Sequence, residues 1–215
     1  MDAGLFGGTF NPIHNGHIHI ATHVKQQFHL SSIFFFPSAT PPHKPDTNLA
    51  PARDRYAMVE KSLADLDGFQ ASDIELSRTG PSFTIDTIHA FAHRHGTDTN
   101  FFLLMGTDAF FDTPSWKKHQ AIFSAVPIIV VPRRAPVQKN AIASFLDENI
   151  AKGYTWDTAK KHFFHGRLQP IYICHVPIID ISSTMIRNRV KHHLSIKGLV
   201  PSPVEEIIRK RNLYL

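Results

Sequence analysis

With 215 residues and 42% hydrophobic content, the chain can bury the core of one domain, 1–215, and no apolar run is long enough to cross a bilayer. A single cysteine, Cys174, excludes an internal disulfide. No charged segment followed by a long apolar one opens the sequence, so no secretory signal is read and a cytoplasmic protein is expected. The formal charge of +5 favours anionic partners, but the basic residues are scattered, and the densest group, Arg209-Lys210-Arg211, reads as the solvated end of a helix.

The first stretch, Gly4 to His17 (GLFGGTFNPIHNGH), has the form of a short apolar strand, a glycine turn, a Pro-containing loop and the first turn of a helix. Gly7 and Gly8 let the backbone turn sharply and lie close to a ligand. The helix is expected to start near Asn15, with Ile18, Ala21, Val24 and Phe28 on one face. Its unpaired N–H groups would face back toward the glycine turn, a geometry that attracts phosphate. His14 and His17, three apart at the helix entrance, can share one side and donate hydrogen bonds to charge growing on phosphoryl oxygens. Either histidine alone would read as an ordinary cap or surface residue. Neither has a nearby Cys or carboxylate completing a zinc set.

SIFFFP (Ser32 to Pro37) suits a strand buried on both faces. The loop after it, SATPPHKPDTN, is stiffened by Pro41 and Pro42, which aim His43 and Lys44 at a fixed place and favour a phosphate contact there. Pro51 to Leu66 reads as a helix carrying Tyr56, Val59 and Leu63 in step, with Arg53, Asp54 and Arg55 as solvated charges. FQASDIELS is expected to supply an alternating strand. Gly80-Pro81-Ser82-Phe83-Thr84 then opens a helix running to about His95, with Ser82 and Thr84 read first as caps.

NFFLLM (Asn100 to Met105) is a further buried strand ending in Gly106-Thr107-Asp108, where a carboxylate can accept hydrogen bonds from a ribose or cap a helix. Trp116 lies in the polar loop TPSWKKH and has a weak claim to burial, which leaves its plane open for stacking. VPIIVVP (Val126 to Pro132) is a strand followed by Arg133-Arg134, which either grip phosphate or face solvent. Ala141, Phe145 and Ile150 point to a helix. Over Tyr154 to His165 aromatic and basic residues interleave, as on RNA-stacking surfaces, but an inserted helical excursion or partner surface is the plainer expectation. Cys174, in the run IYICHV, reads as a buried inert thiol.

In IIDISSTMIRNRV an apolar strand is expected to reach Ile181, after which Ser182, Ser183 and Thr184 open a helix carrying Arg187. Arg187, one turn in, opposes the helix dipole, a conflict that a bound polyphosphate would resolve. A last helix spans Pro203 to Arg211. Alternating strands and helices imply an α/β fold, a Rossmann-like doubly wound parallel sheet with helices on both faces. A C-terminal helical portion, about 183–215, packs on it, and ligands gather at the carboxyl edge.

The glycine turn joined to His14-x-Gly16-His17 resembles the His/Thr-x-Gly-His signature of the nucleotidyltransferase superfamily, and GGTFNPIHNGH is most similar to the nicotinate mononucleotide adenylyltransferases. The resemblance continues in order through PPHK, GPSFT, MGTD, PSW and ISSTMIR and is weakest between Lys139 and Arg167. Asn11 stands where that family often has Asp, a change of little expected consequence. Phe83 stands where it has tyrosine.

The resemblance implies transfer of AMP from ATP to nicotinate mononucleotide, giving deamido-NAD and pyrophosphate. It assigns catalysis to His14, His17 and Arg187. It assigns ATP to Gly7, Gly8, Thr9, Phe10, Gly16, Gly106, Asp108, Ser182 and Thr184, and the mononucleotide to His43, Lys44, Thr84, Trp116 and Arg133. Mg2+ would arrive with ATP, without a protein metal site. The expected partners are these two nucleotides, not nucleic acid or membrane, and a homo-oligomer is left open. Pantetheine-phosphate and nicotinamide mononucleotide adenylyltransferases share the ATP half. More remote readings are a basic RNA-binding module and a catalytically silent nucleotide sensor.

Overall fold

The computed structural model describes residues 1–40, 48–132, 136 and 138–215. Its described strands form one sheet in the order β3-β2-β1-β4-β5-β8-β7-β6. Here β1 is Asp2–Gly8, β2 Ser32–Pro37, β3 Phe69–Ala71, β4 Asn100–Gly106, β5 Ile128–Val131, β6 Thr155–Asp157, β7 His162–Phe164 and β8 Ile171–Ile173. The pairings from β3 across to β8 are parallel, and those of β8 with β7 and of β7 with β6 are antiparallel. This agrees with the doubly wound expectation and adds an antiparallel ribbon at one side.

The apolar runs form strands because both of their faces are covered. Leu5, Phe34, Phe36, Leu103, Met105, Ile128 and Val130 enter one core, while their chain neighbours Phe6, Ile33, Phe35, Leu104, Ile129 and Val131 enter the other. The first core is closed by α3 (Thr84–His95) and α5 (His119–Ala125), through Ile85, Ile88, Phe91, Ile122 and Phe123. The second is closed by α1 (Asn15–Gln27), α2 (Ala52–Leu63), α7 (Ser183–Lys191) and α8 (Ser202–Lys210). On α1 the buried residues are Gly16, Ala21 and Val24, so the expected face is only partly used. Two shorter helices complete the set, α4 (Thr107–Phe111) after β4 and α6 (Lys139–Phe145) after β5. Among the described residues no helix is long and apolar enough to cross a membrane.

Three expectations are corrected. FQASDIELS forms a strand only over Phe69–Ala71, because the Ser77 N–H and hydroxyl both turn back onto the Asp73 carbonyl. Tyr154 to His165 is not a helical excursion but the ribbon β6–β7, with Trp156 paired to Phe163. Its turn is set by Asp157, whose carboxylate accepts the N–H groups of Ala159 and Lys160. The strand expected to reach Ile181 ends at Ile173; beyond it Cys174, Val176 and Ile181 still reach the second core, while Ile178 and Ile179 are 44% and 39% exposed and turn away from it.

Because β1 lies between β2 and β4, the chain winds outward from it in both directions, and the carboxyl ends of β1 and β4 flank the crevice where such sheets bind ligands. Gly7 stands at that end for a steric reason, since a Cβ there would lie 2.5 Å from Cε2 of the buried Phe36 ring. Gly7→Ala is therefore expected to destabilise the fold by about 1–3 kcal/mol, the scale of overpacking a core. Urea unfolding checks this, and an unchanged midpoint would mean that the Phe36 ring gives way without cost.

Candidate active site

The helix entrance after β1 is built from its two histidines. His14 caps α1 with extended backbone (φ −147°, ψ 168°), and its own N–H donates to Nδ1 of His17 at 3.2 Å in a reciprocal capping arrangement. A nitrogen that accepts an N–H keeps its lone pair, so Nδ1 of His17 is unprotonated and Nε2 carries the proton of the neutral ring. The two imidazoles stack with centroids 3.7 Å apart and planes at 30°. His17 is further held by the Phe10 ring, edge-on at 5.0 Å. Phe10, expected at ATP, is only 2% exposed, so its side chain serves as packing behind His17. A Cβ on Gly16 would meet Nδ1 of the His14 ring at 3.0 Å, so the missing side chain leaves room for that imidazole, and the segment before α7 lies beside it, with the Ile181 Cβ at an ordinary contact distance.

That approach is fastened by hydrogen bonds. Ser182 caps α7, its hydroxyl accepting the Met185 N–H at 3.2 Å, and the Ser183 hydroxyl donates to the Pro12 carbonyl at 2.9 Å. Arg187 donates through Nη1 to the Asn11 carbonyl at 2.9 Å and through Nη2 to the Thr184 hydroxyl at 3.4 Å. The structure thus brings Arg187 to the loop that presents His14 and His17, and sets the N-termini of α1 and α7 side by side. Gly106 ends β4 and Asp108 is exposed in the first turn of α4, at the adjacent strand end.

Two residues do more here than the sequence indicates. Asn11 is 3% exposed, and beyond its carbonyl its amide makes three contacts: Nδ2 donates to the Asn48 carbonyl at 2.9 Å, and Oδ1 accepts from the Ala50 N–H at 3.0 Å and the Tyr214 hydroxyl at 2.9 Å. A carboxylate could not make the bond to Asn48, so the amide is the group this joint requires. Arg55, expected as a solvated charge, is instead fully buried. Its guanidinium donates to the carbonyls of Ala50 (3.0 Å), Thr9 (2.8 Å) and Ala39 (3.2 Å), tying the glycine turn to the loop after β2. The available signal is that Arg55 shares the inward face of α2 with Met58, Val59, Ser62 and Leu63 at helical spacing.

The Ala39 loop leads to the other expected group. The Ser82 hydroxyl accepts the Ala39 N–H at 3.0 Å, and Thr84 is the first residue of α3. Lys117 Nζ stands 4.3 Å from the centroid of the Phe83 ring and pairs with Asp86 at 3.1 Å, which sets the Trp116 loop beside this helix start. Trp116 is half-buried against the core, contrary to the expectation of a solvent-facing ring, and its indole N–H donates to Asp112 at 3.3 Å. Reading TPSWKKH as a polar loop misses the apolar core against which Trp116 packs. His43, Lys44 and Arg133 lie outside the described residues.

Beneath α3, Glu75 is 5% exposed and accepts the Thr87 hydroxyl at 2.6 Å, while Arg78 donates to the same hydroxyl at 2.7 Å. Burial raises the Glu75 carboxyl above its ordinary value of 4.5 against these donors. Cys174 is 1% exposed and burial pushes its thiol up to about 12, in agreement with an inert core residue. Among the described residues no three His, Cys, Asp or Glu side chains gather at metal-holding spacing.

Residues 5–189 match the family described as Cytidylyltransferase-like. The chain is 37% identical over 214 residues to a Geobacter metallireducens protein named "Probable nicotinate-nucleotide adenylyltransferase", covering 100% of this chain and 98% of that one. A Clostridium novyi protein of the same name is 34% identical over 211 residues, with 98% of each chain covered. Among solved structures, Plasmodium falciparum nicotinic acid mononucleotide adenylyltransferase complexed with NaAD superposes with a TM-score of 0.74 at 17% identity, over 99% of this chain and 97% of that one. The complex of the Plasmodium enzyme with APC gives 0.73. At that identity the superposition speaks for the shared fold.

Two outcomes follow from this geometry. Arg55→Met removes three bonds from a buried cation and strands their carbonyls, which should cost about 3 kcal/mol or more in urea unfolding; a loss below about 1 kcal/mol would contradict the clamp. Because the Glu75 carboxyl is raised, the folded state binds its proton more tightly than the unfolded chain, so this group's contribution to stability falls as pH rises from 4.5 through the folded value. Glu75→Gln does not titrate. Its melting temperature should therefore gain on the wild type as pH rises through that window, and a pH-independent difference would refute the assignment.

Proposed function

This chain belongs to the nicotinate-nucleotide adenylyltransferase family of cytidylyltransferase-like nucleotidyltransferases. On that premise we propose that its site transfers the adenylyl group of ATP to nicotinate mononucleotide, giving deamido-NAD and pyrophosphate. The full-length relatives carry the name of this activity, and the Plasmodium structure similar in fold was solved with NaAD. The observation that carries the residue assignment is the bond of Arg187 to Asn11, three residues before His14.

The acceptor's phosphate oxygen is already an anion, so no general base is needed. It attacks the α-phosphorus of ATP in line. A new P–O bond forms as the bond from the α-phosphorus to the α,β-bridging oxygen breaks, and the electron pair leaves on that oxygen of pyrophosphate. His17, protonated at Nε2, and His14 donate to the α-phosphate oxygens as charge builds there, with the α1 N-terminus behind them. Arg187, Ser182, Thr184 and the N-terminus of α7 hold the leaving phosphates. The Gly7–Gly8–Thr9 turn and Gly16 give the backbone room beside the nucleotide, and Gly106 and Asp108 take its ribose. Thr84 and Trp116 at the head of α3, together with His43, Lys44 and Arg133, take the acceptor.

Magnesium belongs to this scheme as an ion carried by the triphosphate. A hard cation of this kind is held largely by phosphate oxygens and water, and Asp108, exposed at the strand end, is the carboxylate suited to a contact with it. When bound it neutralises the polyphosphate charge.

Pyrophosphate release from ATP, with nicotinate mononucleotide, nicotinamide mononucleotide and phosphopantetheine offered separately, tests the assignment. The first acceptor is expected to dominate, and release with none or with phosphopantetheine alone overturns it. His17→Ala, with an unchanged melt, should lower turnover by roughly a hundredfold or more, the scale of losing one transition-state donor. Near-normal turnover would remove His17 from catalysis.

A further inference from the structure

Beside the triphosphate groups lies a cavity of about 250 Å³ between α7 and the segment that follows α8. One wall carries Thr184, Arg187 and Lys191, which lie on one face of α7; Tyr214 and Leu215 form the other, and Asn48 closes it. The mechanism above uses Thr184 and Arg187 and leaves Tyr214 without a role. Tyr214 nevertheless reaches across 203 residues of sequence to donate its hydroxyl to Oδ1 of Asn11, the residue whose carbonyl receives Arg187. Its phenol is half-buried, is pushed up by burial, and lies within the fields of both Arg187 and Arg55. The segment carrying it is pinned from two sides: Arg211 pairs with Asp54, next to Arg55 on α2, and the Leu213 N–H donates to the Ile208 carbonyl at 3.0 Å.

We propose that Tyr214 is a positioning residue for the leaving-phosphate end of ATP: it holds the Asn11 joint and forms the wall of the cavity facing Arg187 and Lys191. An aromatic wall excludes water beside the guanidinium, and exclusion of water strengthens its attraction to a polyphosphate. A hydroxyl bonded to Asn11 also restrains the carbonyl against which Arg187 rests. The ligand class is a di- or triphosphate anion, because the opposing wall offers two cations and a hydroxyl. This inference rests on the proposed reaction for its identity as ATP, but its physical content is the affinity of the site for that anion.

The test compares the wild type with Tyr214→Phe and Tyr214→Ala. Calorimetric titration gives ATP affinity, steady-state kinetics give KM for each substrate, and thermal melts report the fold. Tyr214→Phe keeps the ring and loses only the hydroxyl. It should raise both Kd and KM for ATP by roughly five- to tenfold, the scale of one hydrogen bond, with KM for nicotinate mononucleotide changed by less than about twofold because Asn48 and Ala50 still hold the Asn11 amide. Tyr214→Ala, which also opens the wall, should weaken ATP further. Unchanged ATP affinity in both variants overturns the proposal. So does a lowered melting temperature with the two KM values rising together, since that is the signature of a merely structural residue. ATP binding without turnover in the wild type would sink the reaction while leaving the Tyr214 effect readable; no ATP binding in the wild type would sink both.

Discussion

The guanidinium of Arg187 against the carbonyl of Asn11 is the contact on which the other features of the site depend. The carbonyl belongs to the loop that sets His14 and His17, and the guanidinium to a helix more than 170 residues later. Around it lie the Ser183 bond to Pro12 and the bonds of the Asn11 amide. Each lets two helix N-termini stand close together, an arrangement that is unfavourable in electrostatic terms unless an anion lies between them. A chain folded this way favours negative charge at that joint.

The sheet makes that convergence possible. With β1 central and the chain winding away on both sides, the loops after β1, β4 and β8 reach the same edge although they are far apart in sequence. Arg55 adds the lateral link, joining the glycine turn to the loop after β2, which in turn holds Ser82 and the head of α3. The loops after β1 and β2 are thereby joined through one buried cation as well as through the bonds of Asn11 to Asn48 and Ala50.

Much of this was legible from residues alone, for an identifiable reason. Strands buried on both faces are written as continuous apolar runs, so β1, β2, β4 and β5 stand out, and the His-x-Gly-His and ISSTMIR segments mark the starts of α1 and α7. What was not legible depends on partners remote in sequence. Arg55 looks like a surface charge until the carbonyls of Thr9, Ala39 and Ala50 surround it. Trp116 looks exposed until the sheet's first core assembles against it, and the three-residue strands of the β6–β7 ribbon are too short to show a period. Asn11 looks like a substitution of little consequence because nothing near it in sequence discloses that Asn48, Ala50 and Tyr214 will bond to it.

The long reach of these contacts bears on how the protein is made. The bond from Tyr214 to Asn11 spans 203 residues and that from Arg187 spans 176, so a nascent chain on the ribosome has synthesised its first imidazoles long before their partners exist. Loop closure of this length comes late in folding, since it becomes favourable only once the intervening sheet has assembled. The joint at Asn11 is therefore a feature that no half-built chain can form. Whatever binds across both ends of the chain is bound by the finished molecule, and its binding free energy adds to the stability of that state alone.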